Sequence, residues 1–157
     1  SNTRKSSVIR CLTGVGKATK NNIREVFDKN GIVLQIWVET SSPQEQGKIW
    51  LLPEEYIKKL KGIMKKNNCE NALLPLWVDG KISKNKISPD GGEYIKEFFK
   101  QGFDIARISV LGQMKLPFPL HVKAPQPLFI KESMKIHGKD LCNNEVASVI
   151  RQHWKWI

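Results

Sequence analysis

The sequence is poor in cysteine. Cys11, Cys69 and Cys142 are its three cysteines, far apart and with no CxxC pair among them. That excludes a disulfide framework and a cysteine-rich zinc module, and it points to a reducing compartment. Acidic residues are also few, 15 against 26 lysines and arginines. Long apolar runs are missing: none reaches the roughly 18 residues that a membrane span needs. The first residues show no secretory pattern. An intracellular location, cytoplasmic or nuclear, is therefore expected, with no membrane partner. Catalytic constellations are missing as well. No Ser/His/Asp set and no paired carboxylates on one strand are visible. His137, Cys142 and His153 match no standard zinc spacing, so neither a metal nor another cofactor is expected.

What is present is basic charge and enough apolar residues for a core. The 157 residues are 40% hydrophobic, which suits one ordinary core or two small units sharing a surface. The formal charge is +11, an excess that favours an anionic partner, most often a nucleic acid. Lysine greatly outnumbers arginine, and lysine suits diffuse phosphate contact better than bidentate base reading.

Residues 1–6 read as a flexible basic arm. Residues 7–38 read as strand, glycine turn, helix and strand. Val8, Ile9, Cys11 and Leu12 suit a short buried strand, with Arg10 and Leu12 on its opposite face. Gly14-Val15-Gly16-Lys17 lacks the full phosphate-loop pattern and reads as a tight turn. Ile23, Val26 and Phe27 form a helical stripe, which Asn30-Gly31 would stop. Ile32 to Val38 alternates, placing Ile32, Leu34, Ile36 and Val38 on one face and Val33, Gln35 and Trp37 on the other. Residues 47–52 read as a third strand, with Lys48 and Trp50 sharing a face. Pro53 opens a second helix, with Tyr56, Ile57, Leu60, Ile63 and Met64 inward and Lys58, Lys59, Lys61, Lys65 and Lys66 outward. Residues 72–78 follow as a fourth strand, where Pro75 favours an edge or a bulge. The order β-α-β-β-α-β predicts an α+β protein with a four-stranded antiparallel ferredoxin-like sheet and both helices on one face.

Over residues 7–78 the chain resembles the RNA recognition motif family, as an atypical member. The family's third-strand motif, K/R-G-F/Y-G/A-F/Y-V-x-F/Y, aligns with Gln46-Gly47-Lys48-Ile49-Trp50-Leu51-Leu52-Pro53. Trp50 keeps one aromatic place, and Lys48 and Pro53 occupy the other two. In the first-strand motif Arg10 stands at the aromatic position. The resemblance implies a sheet face that binds single-stranded nucleic acid.

Residues 79–92 read as a linker, with Asp79-Gly80 and Pro89-Asp90-Gly91-Gly92 as punctuation. Residues 93–157 read as a second αβ segment packed on the first. A third helix is expected at 93–101, a strand at 103–111, and a last helix beginning at Asn143 or Asn144. The stretch IREVFDKNGIVLQIWV, from Ile23, is similar to IKEFFKQGFDIARISV, from Ile95. This raises a second, related unit as an expectation.

Two constellations point to function. Trp37 and Trp50 with Arg10 and Lys48 would put aromatics and cations on one sheet face, and base stacking on such aromatics contributes about 1–3 kcal/mol per base. Lys58, Lys61 and Lys65, with Lys81, Lys84 and Lys86, would supply sequence-independent phosphate contacts. The expected function is non-catalytic binding of RNA or single-stranded DNA. One alternative is a protein-interaction module, part of a larger assembly, whose tryptophan face is buried. A second is a Mg²⁺-dependent nuclease similar to the PD-(D/E)xK family, resting on Asp104 and on Gln113-Met114-Lys115.

Overall fold

The computed structural model describes residues 5–16, 22–44, 52–80, 82–83, 86–130, 135–136, 139–140 and 143–156. At 82–83, 86–87, 135–136 and 139–140 it describes the backbone alone. The described residues form four helices and several small sheets. Helix α1 spans Lys5–Thr13, followed by strands β1 (Ile23–Phe27) and β2 (Val33–Val38), helix α2 (Pro53–Lys66) and strand β3 (Asn71–Leu73). Strands β4 (Ile82–Ser83) and β5 (Lys86–Ile87) precede helix α3 (Gly91–Lys100). Then come β6 (Ser109–Leu111), β7 (Leu128–Ile130), β8 (Lys135–Ile136), β9 (Lys139–Asp140) and helix α4 (Asn143–Trp154).

The class is α+β, but the expected four-stranded antiparallel ferredoxin-like sheet is not what forms. The largest sheet has three strands in the order β1-β2-β3, with β1 antiparallel and β3 parallel to β2. A second sheet pairs β6 with β7 in parallel. The short pairs β4-β5 and β8-β9 are antiparallel. The family resemblance therefore loses the sheet on which it depended.

Two elements exchange type relative to expectation. The first expected strand is α1. Val8, Cys11 and Leu12, at i, i+3 and i+4, pack in one cluster while Ile9 enters another; a helix puts adjacent residues 11 and 12 on one side, whereas strand alternation would part them. The helix stops at Gly14, which has φ +69° and donates its N–H to the Arg10 carbonyl at 2.7 Å. The first expected helix contains β1. Its Ile, Val and Phe are strand formers as much as an apolar helical stripe. The deciding feature is the turn. The Asp28 carboxylate accepts from the N–H groups of Asn30 and Ile32, both at 2.8 Å, and Gly31 takes φ +77°. Asn-Gly thus closes a hairpin rather than capping a helix. The hairpin register pairs Ile23 with Trp37 and Phe27 with Val33.

The expected internal repeat fails for the same reason. Residues 23–27 are strand, while their counterparts 95–99 lie in α3. The apolar spacing is shared, but only the first copy has a strand beside it to pair with. The βαβ unit exists further along, as β2-α2-β3. There α2 carries Pro53 at its start, Glu54 and Glu55 in its first turn, and Lys65 and Lys66 in its last, as the helix dipole prefers. Beyond α3, the expected strand at 103–111 shortens to β6.

Three hydrophobic clusters hold these elements. Val8 and Leu12 of α1 pack with Ile130 and with Val146, Ala147 and Ile150 of α4. Ile9 and Val15 pack with Val26, Ile36 and Val38 on one face of the three-stranded sheet. Tyr56, Ile57, Leu60 and Met64 of α2 pack with Tyr94 and Phe98 of α3, and Trp37 from the opposite face of β2 joins them. The alternation expected for β2 is therefore what divides its side chains between two clusters. Arg151 of α4 donates from Nη2 to the carbonyls of Cys11 and Leu12, satisfying the end of α1. Asp90 caps α3 by accepting from the Glu93 N–H at 2.9 Å, while Glu93 accepts from the Asp90 N–H at 2.9 Å.

Candidate nucleic-acid interface

Helix α2 gathers the expected phosphate contacts that the structure describes in full. At 100° per residue, Lys58, Lys59, Lys61, Lys65 and Lys66 occupy an arc of about 160°, and all five are exposed. The opposite arc holds the buried Tyr56, Ile57, Leu60 and Met64. Burial of that stripe orients the helix and so turns the lysines outward.

The five lysines are not equivalent. Lys58 donates to Glu54 at 2.8 Å, one turn back. This hydrogen bond, with the attraction between the two charges, raises the lysine pKa and lowers the glutamate pKa. The Lys61 ammonium donates to the Gln101 carbonyl and lies 5.4 Å from the centre of the Phe103 ring. Lys59, Lys65 and Lys66 make no hydrogen bond or ion pair with the described residues. Their charge faces solvent along the outer side of the helix.

Of the expected sheet face only Arg10 and Trp37 are described, and they lie on different elements. Arg10 lies on α1 rather than on a strand, half-buried, with its Nε atom buried and unpaired. Trp37 is on β2, half-buried against the α2–α3 cluster, and its indole N–H donates to Glu39 at 2.9 Å. Lys48, Trp50, Lys81 and Lys84 lie outside the described residues, and Lys86 is described only as backbone in β5. Of the nuclease residues, Asp104 and Lys115 are exposed, and Gln113 donates to Asp79 at 3.5 Å. Asp104 precedes β6 rather than lying on a strand. No group of three or more His, Cys, Asp or Glu that could hold a metal occurs among the described residues. No described helix is long and apolar enough to cross a membrane.

Beneath the lysine face, two tyrosines brace α2 against α3 with ring centres 6.1 Å apart, edge to face. Burial raises the Tyr56 pKa well above the usual range, with the negative charge of Glu39 adding to it. Burial and then Glu93 push the Tyr94 pKa up to about 12.

A cavity of about 760 Å³ was missed by sequence reasoning. Its walls come from α1, α3, α4, strand β6 and the segments 74–80 and 103–108. No periodicity marks such a site, because its residues are far apart in the chain and come mostly from irregular segments.

Comparison with protein-family models, curated proteins and solved structures finds no match to this chain.

Proposed function

We propose that the chain binds RNA or single-stranded DNA, without catalysis, through the lysine face of α2. The observation that carries this reading is the set Lys59, Lys65 and Lys66, exposed on one arc and unpaired among the described residues, in a chain of net charge +11. Lysine ammonium groups on a rigid helix contact phosphates without reading bases, and each contact releases condensed counterions. Lys58 and Lys61 reinforce the local field while remaining tied to Glu54 and Gln101. The free thiols of Cys11 and Cys69 suit the reducing, intracellular compartment where such a partner is found.

The test is fluorescence anisotropy with labelled single-stranded RNA and DNA across a salt series. Replacing Lys59, Lys65 and Lys66 together by alanine removes three phosphate contacts. The slope of log affinity against log salt should then fall by about 2. An unchanged slope, or no binding of either polymer at low salt, overturns the proposal.

One observation favours a second reading, a protein-interaction module. The tip of the β1-β2 hairpin exposes Phe27 (47%), Ile32 (56%) and Val33 (47%), and Phe27 and Val33 are cross-strand partners. An apolar tip of this kind suits an assembly contact.

A further inference from the structure

The sheet β1-β2-β3 and the pair β6-β7 each end on an open edge, and the large cavity lies between those edges. Strands β3 and β6 are not paired with each other, yet residues of both line the cavity. The ladders fix which way their main-chain groups point. The Leu73 carbonyl accepts from the Glu39 N–H at 2.9 Å, on the β2 side. Successive residues of a strand turn their N–H and C=O groups to opposite sides, so those of Ala72 and Leu74 point away from β2. On the other wall, the Ile108 carbonyl accepts from the Leu128 N–H at 3.0 Å, and the Gly112 N–H donates to the Ile130 carbonyl at 2.8 Å. The groups of Ser109 and Leu111 therefore point away from β7. All four residues line the cavity. Leu74, Leu76, Ile105 and Arg107 flank the two strands and line it too, and their main chains make no hydrogen bond with the described residues.

The gap has helices on both faces. Helix α1 packs on the face of β2 that carries Ile36 and Val38, and α2 and α3 pack on the face that carries Trp37. Within the lining, Leu74, Leu76, Phe103 and Ile105 lie against the α2–α3 cluster, and Leu111 and Trp154 against the α1–α4 cluster. All six are half-buried, so apolar surface is open to an occupant on either side. The ionic groups of the lining balance, Lys5 and Arg107 against Asp79 and Asp104. Lys5 lies 5.1 Å from the centre of the Trp77 ring, Asp79 accepts from Gln113 at 3.5 Å, and the Arg107 guanidinium donates to the Ala106 carbonyl at 2.7 Å. Asp104 is exposed to solvent. The lining thus selects neither sign of charge. A neutral main chain, with donors and acceptors in alternation, matches both edges. A strand covered by helices on both faces carries a continuous apolar run rather than an alternating one.

We propose that an extended, uncharged peptide segment of a partner protein, about six residues long and rich in valine and isoleucine, adds as a strand between β3 and β6. The added strand joins the two sheets into one. The site is separate from the lysine face and does not depend on nucleic-acid binding.

The experiment is fluorescence anisotropy of the full chain with a panel of fluorescein-labelled hexapeptides of valine, isoleucine and threonine, flanked by lysines for solubility. Saturable one-to-one binding of at least one member is expected. N-methylation at alternate residues keeps the side chains and removes the donors from one edge, so affinity should fall about tenfold or more, the scale of a few hydrogen bonds. Hydrogen exchange followed by NMR should show the amides of Leu74, Leu76, Arg107 and Ser109 protected in the complex and open in the free chain. Arg107→Pro removes one edge donor at an exposed position and should weaken binding about three- to tenfold. If that variant does not fold, the methylated peptide and the exchange pattern decide the matter without it. Absence of saturable binding by every member overturns the proposal. Equal binding of the methylated peptide overturns it in favour of a simple apolar pocket. Protection of the same amides in the free chain overturns it in favour of β3 pairing directly with β6 or with a second copy.

Discussion

Gln44 shows what one buried polar side chain contributes. It is 1% exposed, yet its amide is fully occupied. Nε2 donates to the carbonyls of Trp77 at 3.2 Å and Pro89 at 2.9 Å, and Oε1 accepts from the Trp77 N–H at 2.8 Å. The side chain thereby ties three loop segments that no regular strand pairing connects. Gln44→Leu keeps the approximate volume and removes three hydrogen bonds to backbone groups. It should cost about 3 kcal/mol, read as a lowered urea midpoint at unchanged slope. Tyr56 presents the opposite case. Its hydroxyl is buried with no partner, so Tyr56→Phe removes an unsatisfied group and keeps the ring against Tyr94. Stability should rise by about 1 kcal/mol, measured by the same denaturation. Neither outcome is legible in the sequence, because a glutamine in a polar loop and a tyrosine on an apolar stripe look ordinary until their neighbours are known.

Among the elements, those with strong local signals match expectation. Helix α2 has proline at its start, acids first, lysines last and a clean apolar stripe. Helix α3 has Asp90 and Glu93 as a reciprocal cap. Helix α4 begins where its asparagines stand. Elements decided by partners do not match. Ile23 to Phe27 can satisfy a helical stripe or a strand, and the presence of β2 beside it selects the strand. That five lysines of α2 face outward was legible from the apolar stripe opposite them. Which of them are already engaged, Lys58 with Glu54 and Lys61 with Gln101, depends on how the helix sits. The start of α3 carries a further constraint. A Cβ at Gly91 would lie 2.8 Å from the Trp77 carbonyl oxygen, a backbone atom with little room to move. Alanine favours a helix over glycine, but here the clash dominates. Gly91→Ala should lower stability by about 1–3 kcal/mol, seen as a reduced melting temperature.

The whole molecule is held by contacts between distant parts of the chain. Residues 7–78 and 93–157, which read as separate units, share two hydrophobic clusters, one joining α1 to α4 and the other α2 to α3. Chain 1–78 alone would expose Val8, Leu12, Tyr56 and Leu60, and chain 79–157 would expose Tyr94, Phe98, Val146 and Ile150. Neither piece should show a cooperative thermal transition by itself, and mixing the two should restore one, as followed by circular dichroism. The charge of +11, the lysine helix, the helix caps and the alternation of β2 were determined by the sequence alone, since each depends on nearest neighbours or on composition. The exchange of helix and strand before residue 28, the dispersal of Arg10 and Trp37 from a shared face, and the cavity were decided only by tertiary structure. Amphipathic spacing specifies which residues must be buried but not what covers them, and that choice rests on which partners the rest of the chain brings into contact.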